Sequence, residues 1–160
     1  MKSEELMELG RLSYVPRWVI VPMDRPQTVS DHSFRVALIS AALVEGKNWS
    51  TGQIGTLMYE ALLHDADEIL TGDVPATAKY GMVQVTKRYR GPDNLLGFVI
   101  KVADTVEAMT WFKMYGAGGH RRTAIAGSMQ QTFDGLKNHP HYDHDVYRRA
   151  QRIIEMGEME

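Results

Sequence analysis

TGQIGTLMYEALLHDADEILTGDVP, residues 51–75, runs an apolar stripe straight into a cluster of charge. Ile54, Leu57, Met58, Ala61 and Leu62 keep the 0, 3, 4, 7, 8 spacing of an amphipathic helix. Continued at that period to about Leu70, the helix places Asp65 in line with the stripe, and Glu68 lies four residues after His64 on the same side. The expectation is one helix, capped by Thr51, that carries His64, Asp65 and Glu68 toward the core. A carboxylate buried there without a partner costs several kcal/mol. A divalent cation compensates it well, because it is a large local charge that accepts both imidazole and carboxylate.

The same helical period dominates the rest of the 160-residue chain. Residues 3–10 read as a short helix, and 11–29, with three prolines, as an irregular connector. SFRVALISAALVEG, capped by Ser30 or Asp31, reads as a helix to about Gly46. Residues 71–81 read as a loop and 82–90 as a short strand-like or helical segment. Asp93 opens a helix through NLLGFVIKVADTVEAMTWFKMYG, apolar nearly all round and therefore buried, which GAGGH at 116–120 ends. RRTAIAGSMQQTFDGLKN and DHDVYRRAQRIIEMG supply the last two helices. The expected fold is all-α, a bundle of about six helices in a single domain over 1–160.

Composition narrows the function. With 44% hydrophobic and 24% charged residues, the chain has the make-up of a soluble globular protein. A net charge of −2 provides no basic field for a nucleic-acid backbone or an anionic membrane, so an anionic ligand must be held by a local group of cations. The absence of cysteine excludes disulfides, thiolate metal sites and cysteine nucleophiles, leaving histidine and carboxylate as metal ligands. No long apolar run or signal-peptide pattern is visible, and the expectation is a soluble, cytoplasmic protein.

Two further residues can join the acidic cluster. His32, in the first turn of its helix on a face with Val36 and Ile39, reads as a ligand or as a hydrogen-bonded core or capping residue. Asp104, near Ile100 and Ala103, reads as a ligand or as half of an intrahelical ion pair with Lys101. The order His32, His64-Asp65, Asp104, each on a different apolar helix, resembles the HD-domain phosphohydrolase superfamily. RW at 17–18, VSDHS at 29–33, HDADEILTGDVP at 64–75, Lys79 and KVAD at 101–104 are similar to the YfbR-type 5′-deoxynucleotidases over residues 9–115.

That resemblance implies an HD-domain helical bundle with one divalent metal held by His32, His64, Asp65 and Asp104, and zinc, cobalt or manganese suits that set. It implies Glu68 as the catalytic glutamate that orients or deprotonates the attacking water. It makes Asp73 a second acid of the pocket, orienting Arg17 or a water, although chain chemistry alone reads Asp73 equally as a turn residue after Thr71-Gly72. Arg17 would bind phosphate. Trp18 would pack on the sugar and disfavour a ribose 2′-hydroxyl, where residue type alone reads it as a core anchor. Lys79 and Lys101 are phosphate candidates or solvated lysines, and Ile20 and Pro75 would line the base pocket.

The interval from Tyr80 to Asp104 is shorter than in the nucleotidases, and the compact form is similar to the phage HD-domain dATP triphosphohydrolases of the DatZ type. The implied function is removal of all three phosphates from dATP, giving deoxyadenosine and phosphate and depleting the dATP pool where diaminopurine replaces adenine. For a phage-encoded chain the place is the host cytoplasm. Arg121 or Arg122 can add charge for a triphosphate. A nucleotidase of deoxynucleoside monophosphates and a non-hydrolysing nucleotide-binding regulator are the alternatives. The family also implies a homo-oligomer, a dimer or hexamer, with Trp49, Trp111 and Phe112 as apolar surface for a partner and Trp111 equally as core. KNHPHYDHD at 137–145, with His139, His141 and His144, reads as a polar loop and helix cap or as a second metal site.

Overall fold

The computed structural model describes residues 3–73, 92–118 and 120–156, the side chains of residues 120 and 121 excepted. The segments are α1 (Ser3–Leu9), α2 (Val29–Val44), α3 (Thr51–Leu63), the single turn α4 (Glu68–Thr71), α5 (Leu95–Tyr115), α6 (His120–Gly135) and α7 (His144–Met156). Tight 3-10 turns occupy Gly10–Tyr14 and Leu136–Asn138. Among the described residues β-structure is confined to two isolated bridges, Pro16 with Thr28 and Met23 with Gly116. The all-α expectation holds, with six helices of seven residues or more among the described residues. No helix among the described residues is long and apolar enough to cross a membrane.

α5 is the axis of the bundle and packs against α2, α3, α6 and α7. Its apolar surface goes almost all the way round, so Phe98, Val99, Val102 and Val106 are fully buried on several sides. Leu43 and Val44 of α2, Leu57 of α3 and Val146 of α7 close the core. Gly97 is required where the chain enters α5, since a Cβ there would stand 1.8 Å from the Pro92 carbonyl oxygen. Phe112, expected as surface for a partner, is instead a core residue at 3% exposure, and of the two readings of Trp111 the core one holds at 4%, because α5 is enclosed on that side too. Trp49 is half-buried against the same core.

Helix caps stand one to three residues ahead of or behind the sequence reading, for one physical reason. A capping side chain must stand on extended backbone just ahead of the first unpaired N–H groups. Thr28 does this for α2, accepting from Asp31 N at 3.2 Å while Asp31 Oδ2 accepts from Thr28 N at 3.0 Å. Ser30 and Asp31 lie inside the first turn, where Asp31 is the returning acid of a capping box. Ser50 rather than Thr51 caps α3, paired with Gln53, and Asn94 rather than Asp93 caps α5.

The larger correction concerns the opening stretch. The helix expected to run to Leu70 ends at Leu63. Residues 64–67 form a turn whose N–H groups reach back three residues, Ala66 to Leu63 at 2.9 Å and Glu68 to Asp65 at 3.0 Å. Leu62, the last position of the apolar stripe, is accordingly 41% exposed. Residues 74–81 of the expected loop and the segment 82–90 lie outside the described residues.

Candidate metal centre

The HD turn aims side chains that a continuous helix would have spread along its flank. His64 is the C-cap of α3, and its Nδ1 donates to the Ala61 carbonyl at 2.7 Å, satisfying one of the helix's last acceptors. That bond leaves Nε2 facing Asp65, whose Oδ2 is 3.2 Å away. His32, from the first turn of α2, brings its Nε2 within 3.5 Å of the same Asp65 oxygen and 3.3 Å of Asp104 Oδ1 on α5. The two imidazole rings stand 5.2 Å apart, centre to centre. Ligand atoms of His32, His64 and Asp65 all fall within 4.8 Å of one another, and Asp104 adjoins them through His32.

The donor set fits a cation. Both Nε2 atoms are buried and neither makes a hydrogen bond within the protein. Both Nδ1 atoms are committed as donors, His64 to a backbone carbonyl and His32 to Glu107 Oε2 at 2.6 Å. In the neutral rings the lone pair therefore sits on Nε2, toward the carboxylates, which is how imidazole meets a metal.

The charges hold one another. Burial opposes a positive His32, but Asp104, Asp65 and Glu107 overcome it and push the imidazole up to about 10. Burial likewise opposes charge on His64, and Asp65 and Asp104 still raise it. Burial works against ionised Asp65 and Asp104 as well, yet the neighbouring imidazoles hold Asp65 well below the usual carboxylate range and lower Asp104 too. Such mutual dependence of buried ionisable groups makes the cluster a candidate functional site.

Glu68 opens α4 from a position 8% exposed, three residues after Asp65. Gly72 ends that single turn at φ 70°, a left-handed conformation that a side chain resists. Asp73 follows, and its carboxylate meets the RW pair: Oδ2 accepts from Trp18 N at 3.2 Å and lies 3.8 Å from Arg17 Nε. Trp18 adopts φ 61° and leans on Phe112 at 6.0 Å between ring centres. Lys101 stands at the margin, more than half exposed, its ammonium 3.9 Å from Asp104. Ile20 is 68% exposed and is not enclosed with the others. Pro75 and Lys79 lie outside the described residues, as does the side chain of Arg121. Arg122, proposed above for phosphate, is spent on helix-end carbonyls, donating to Gly116 O at 2.7 Å and Lys113 O at 2.8 Å. In the 137–145 segment Asp143 caps α7 through Val146 N at 2.9 Å and pairs with Lys47 at 2.9 Å, a structural use of that polar run.

Three residues around the centre had gone unremarked in the sequence. Glu107 is completely buried and meets His32, Gln27, Arg35 and Arg17. Burial opposes its ionisation, but His32, Arg17 and Gln27 keep it below the usual range. Its signal was available: Glu107 follows Asp104 by three residues in an otherwise apolar helix, hence on the same face. Gln27 and Arg35 had no comparable signal.

The family model for 5′-deoxynucleotidase YfbR-like proteins matches residues 6–95, which take in the RW pair, His32 and the whole HD turn. The chain belongs to the YfbR-like family. A dATP triphosphohydrolase of Salmonella phage PMBT28 is 28% identical, over 82% of this chain and 78% of that protein. The 5′-deoxynucleotidase YfbR of Escherichia coli O127:H6 is 35% identical over 59% of this chain, and the match takes in 49% of its own length. The YfbR-like chain thus spans about half the length of the bacterial nucleotidases it matches. Its fold is that of the cyanophage S-2L HD phosphohydrolase DatZ, described bound to dA and one catalytic Zn2+ ion, with a TM-score of 0.74 over all of this chain and 98% of that one at 20% identity.

Proposed function

We propose that this YfbR-like protein is a metal-dependent phosphohydrolase of deoxynucleotides, with dATP as substrate and deoxyadenosine and phosphate as products. The observation that carries the reading is the pair of buried imidazole Nε2 atoms, unbonded and turned toward Asp65 and Asp104, with Glu68 one turn away. His32, His64, Asp65 and Asp104 would hold one divalent ion; zinc is favoured by the ion described in DatZ, and cobalt and manganese suit the same ligands. Such an ion supplies a Lewis acid for a phosphoryl oxygen and lowers the pKa of bound water.

The chain's own residues do the rest. Glu68 takes the proton of the attacking water, a role suited to a carboxylate beside the ligands. Arg17 meets phosphate with its planar guanidinium, held in place by Asp73 and Glu107. The indole of Trp18 flanks the sugar. Lys101, at the margin, adds charge for a long phosphate chain.

The triphosphate reading draws on the phage relative, whose match covers most of both chains. The family model favours a second reading, a nucleotidase of deoxynucleoside monophosphates. Metal-loaded protein incubated with dATP and, separately, dAMP distinguishes the two by chromatography of products. Deoxyadenosine from dATP supports the first reading. Deoxyadenosine from dAMP alone transfers the assignment to the second, and no product from either rejects both.

A further inference from the structure

Glu107 enters the steps above only as a partner of Arg17, yet the site converges on it. Its carboxylate is fully buried and accepts from His32 Nδ1 at 2.6 Å, Gln27 Nε2 at 2.8 Å and Arg35 Nε at 2.9 Å, with Arg17 Nη1 at 3.5 Å. Four donors fill the capacity of one ionised carboxylate. They come from the connector and from α2, and Glu107 belongs to α5, so one side chain ties three parts of the chain together.

The contact with Gln27 continues further. Gln27 is 1% exposed, and its Oε1 accepts from the Trp18 indole Nε1 at 2.8 Å. An indole only donates and a carboxylate only accepts, so the amide has one possible orientation between them. Trp18 needs such an anchor, because φ 61° is costly for a residue with a bulky side chain. Its backbone N–H on Asp73 and its ring on Phe112 supply the other two holds.

We propose that Glu107 and Gln27 are positioning residues that register the Trp18 indole against the metal-ligand face of His32. The path runs from indole to amide to carboxylate to imidazole, each link a hydrogen bond of 2.6 to 2.8 Å. Glu107 fixes the ring orientation of His32, and Gln27 transmits that position to the wall of the nucleoside pocket. This inference rests on the preceding reading for the roles of His32 and Trp18. It concerns how two parts of the site are held at a set distance, which that reading leaves open.

The test uses Gln27→Leu and Glu107→Gln in the full chain, each checked for folding by circular dichroism. Zinc affinity is measured by competition with a chromophoric chelator, and the ¹⁵N resonances of the Trp18 indole and the His32 ring are followed in zinc-loaded protein. Gln27→Leu is expected to shift the Trp18 indole N–H and speed its exchange while zinc affinity stays within about twofold. Glu107→Gln is expected to disturb both residues and to weaken zinc about ten- to hundredfold, the usual effect of losing a partner behind a ligating histidine. An unchanged Trp18 resonance in Glu107→Gln overturns the coupling, as does an equal loss of zinc affinity in both variants. If Glu107→Gln does not fold, Glu107→Asp takes its place, with the same outcomes read the same way. None of these readouts needs turnover, so a wild-type protein that hydrolyses no nucleotide counts against the proposed function alone.

Discussion

Loading the metal should expel protons. His32 is held at about 10 by Asp104, Asp65 and Glu107 against the cost of its burial, so the metal-free protein carries it as imidazolium at pH 7.5. Coordination needs the neutral ring. Removing that proton at pH 7 costs about 4 kcal/mol, from three pH units at 1.36 kcal/mol each. Apparent zinc affinity should therefore rise about tenfold per pH unit between pH 6.5 and 8.5, and more steeply if His64, whose pKa is also raised, gives up a second proton. Isothermal titration in buffers of different ionisation enthalpy at pH 7.5 counts the protons directly, and at least one should be released per zinc. The metal-free protein should respond in the opposite sense. A raised folded pKa gives stability that is complete below the unfolded value near 6.5 and is lost as pH rises through about 10. Zinc binding with no proton release and an affinity flat in pH would refute the electrostatic account of the cluster.

Glu68→Gln should lower nucleotide turnover by about 10²- to 10⁴-fold while zinc still binds, measured by product release beside the chelator competition. Phe98→Ala, at a fully buried position of α5, should cost about 3–5 kcal/mol in urea unfolding. Thr28→Ala removes the cap of α2 and should cost about 1 kcal/mol by the same method, with a further loss of zinc affinity if fraying reaches His32.

Much of this molecule is legible in its residue spacing. The period of α5 and the apolar positions of α2 and α3 announced an all-α bundle, because burial of one face is written directly into residue spacing. The HD turn was legible as chemistry but not as shape. His64, Asp65 and Glu68 were expected along one helix, whereas the helix stops at Leu63, a turn sets His64 and Asp65 beside His32, and Glu68 opens the separate turn α4. Helical periodicity describes residues that stay helical and is blind to a short reversal stabilised by His64 bonding its own helix's last turn. Phe112 was misplaced, and Trp111 left undecided, for a related reason, since an aromatic residue on a long helix shows no sign in sequence of which neighbour covers it.

The sequence by itself determined the chemical inventory: no thiolate, a helical scaffold, and imidazoles and carboxylates carried by three separate apolar stretches of chain. Only the tertiary structure decided which of those groups touch and what stands behind them. Glu107, Gln27 and Arg35 act through contacts spanning 72 to 80 residues of chain. A buried carboxylate declares its purpose only when donors from distant segments arrive to satisfy it, because desolvation is set by the packed neighbours and not by the local sequence.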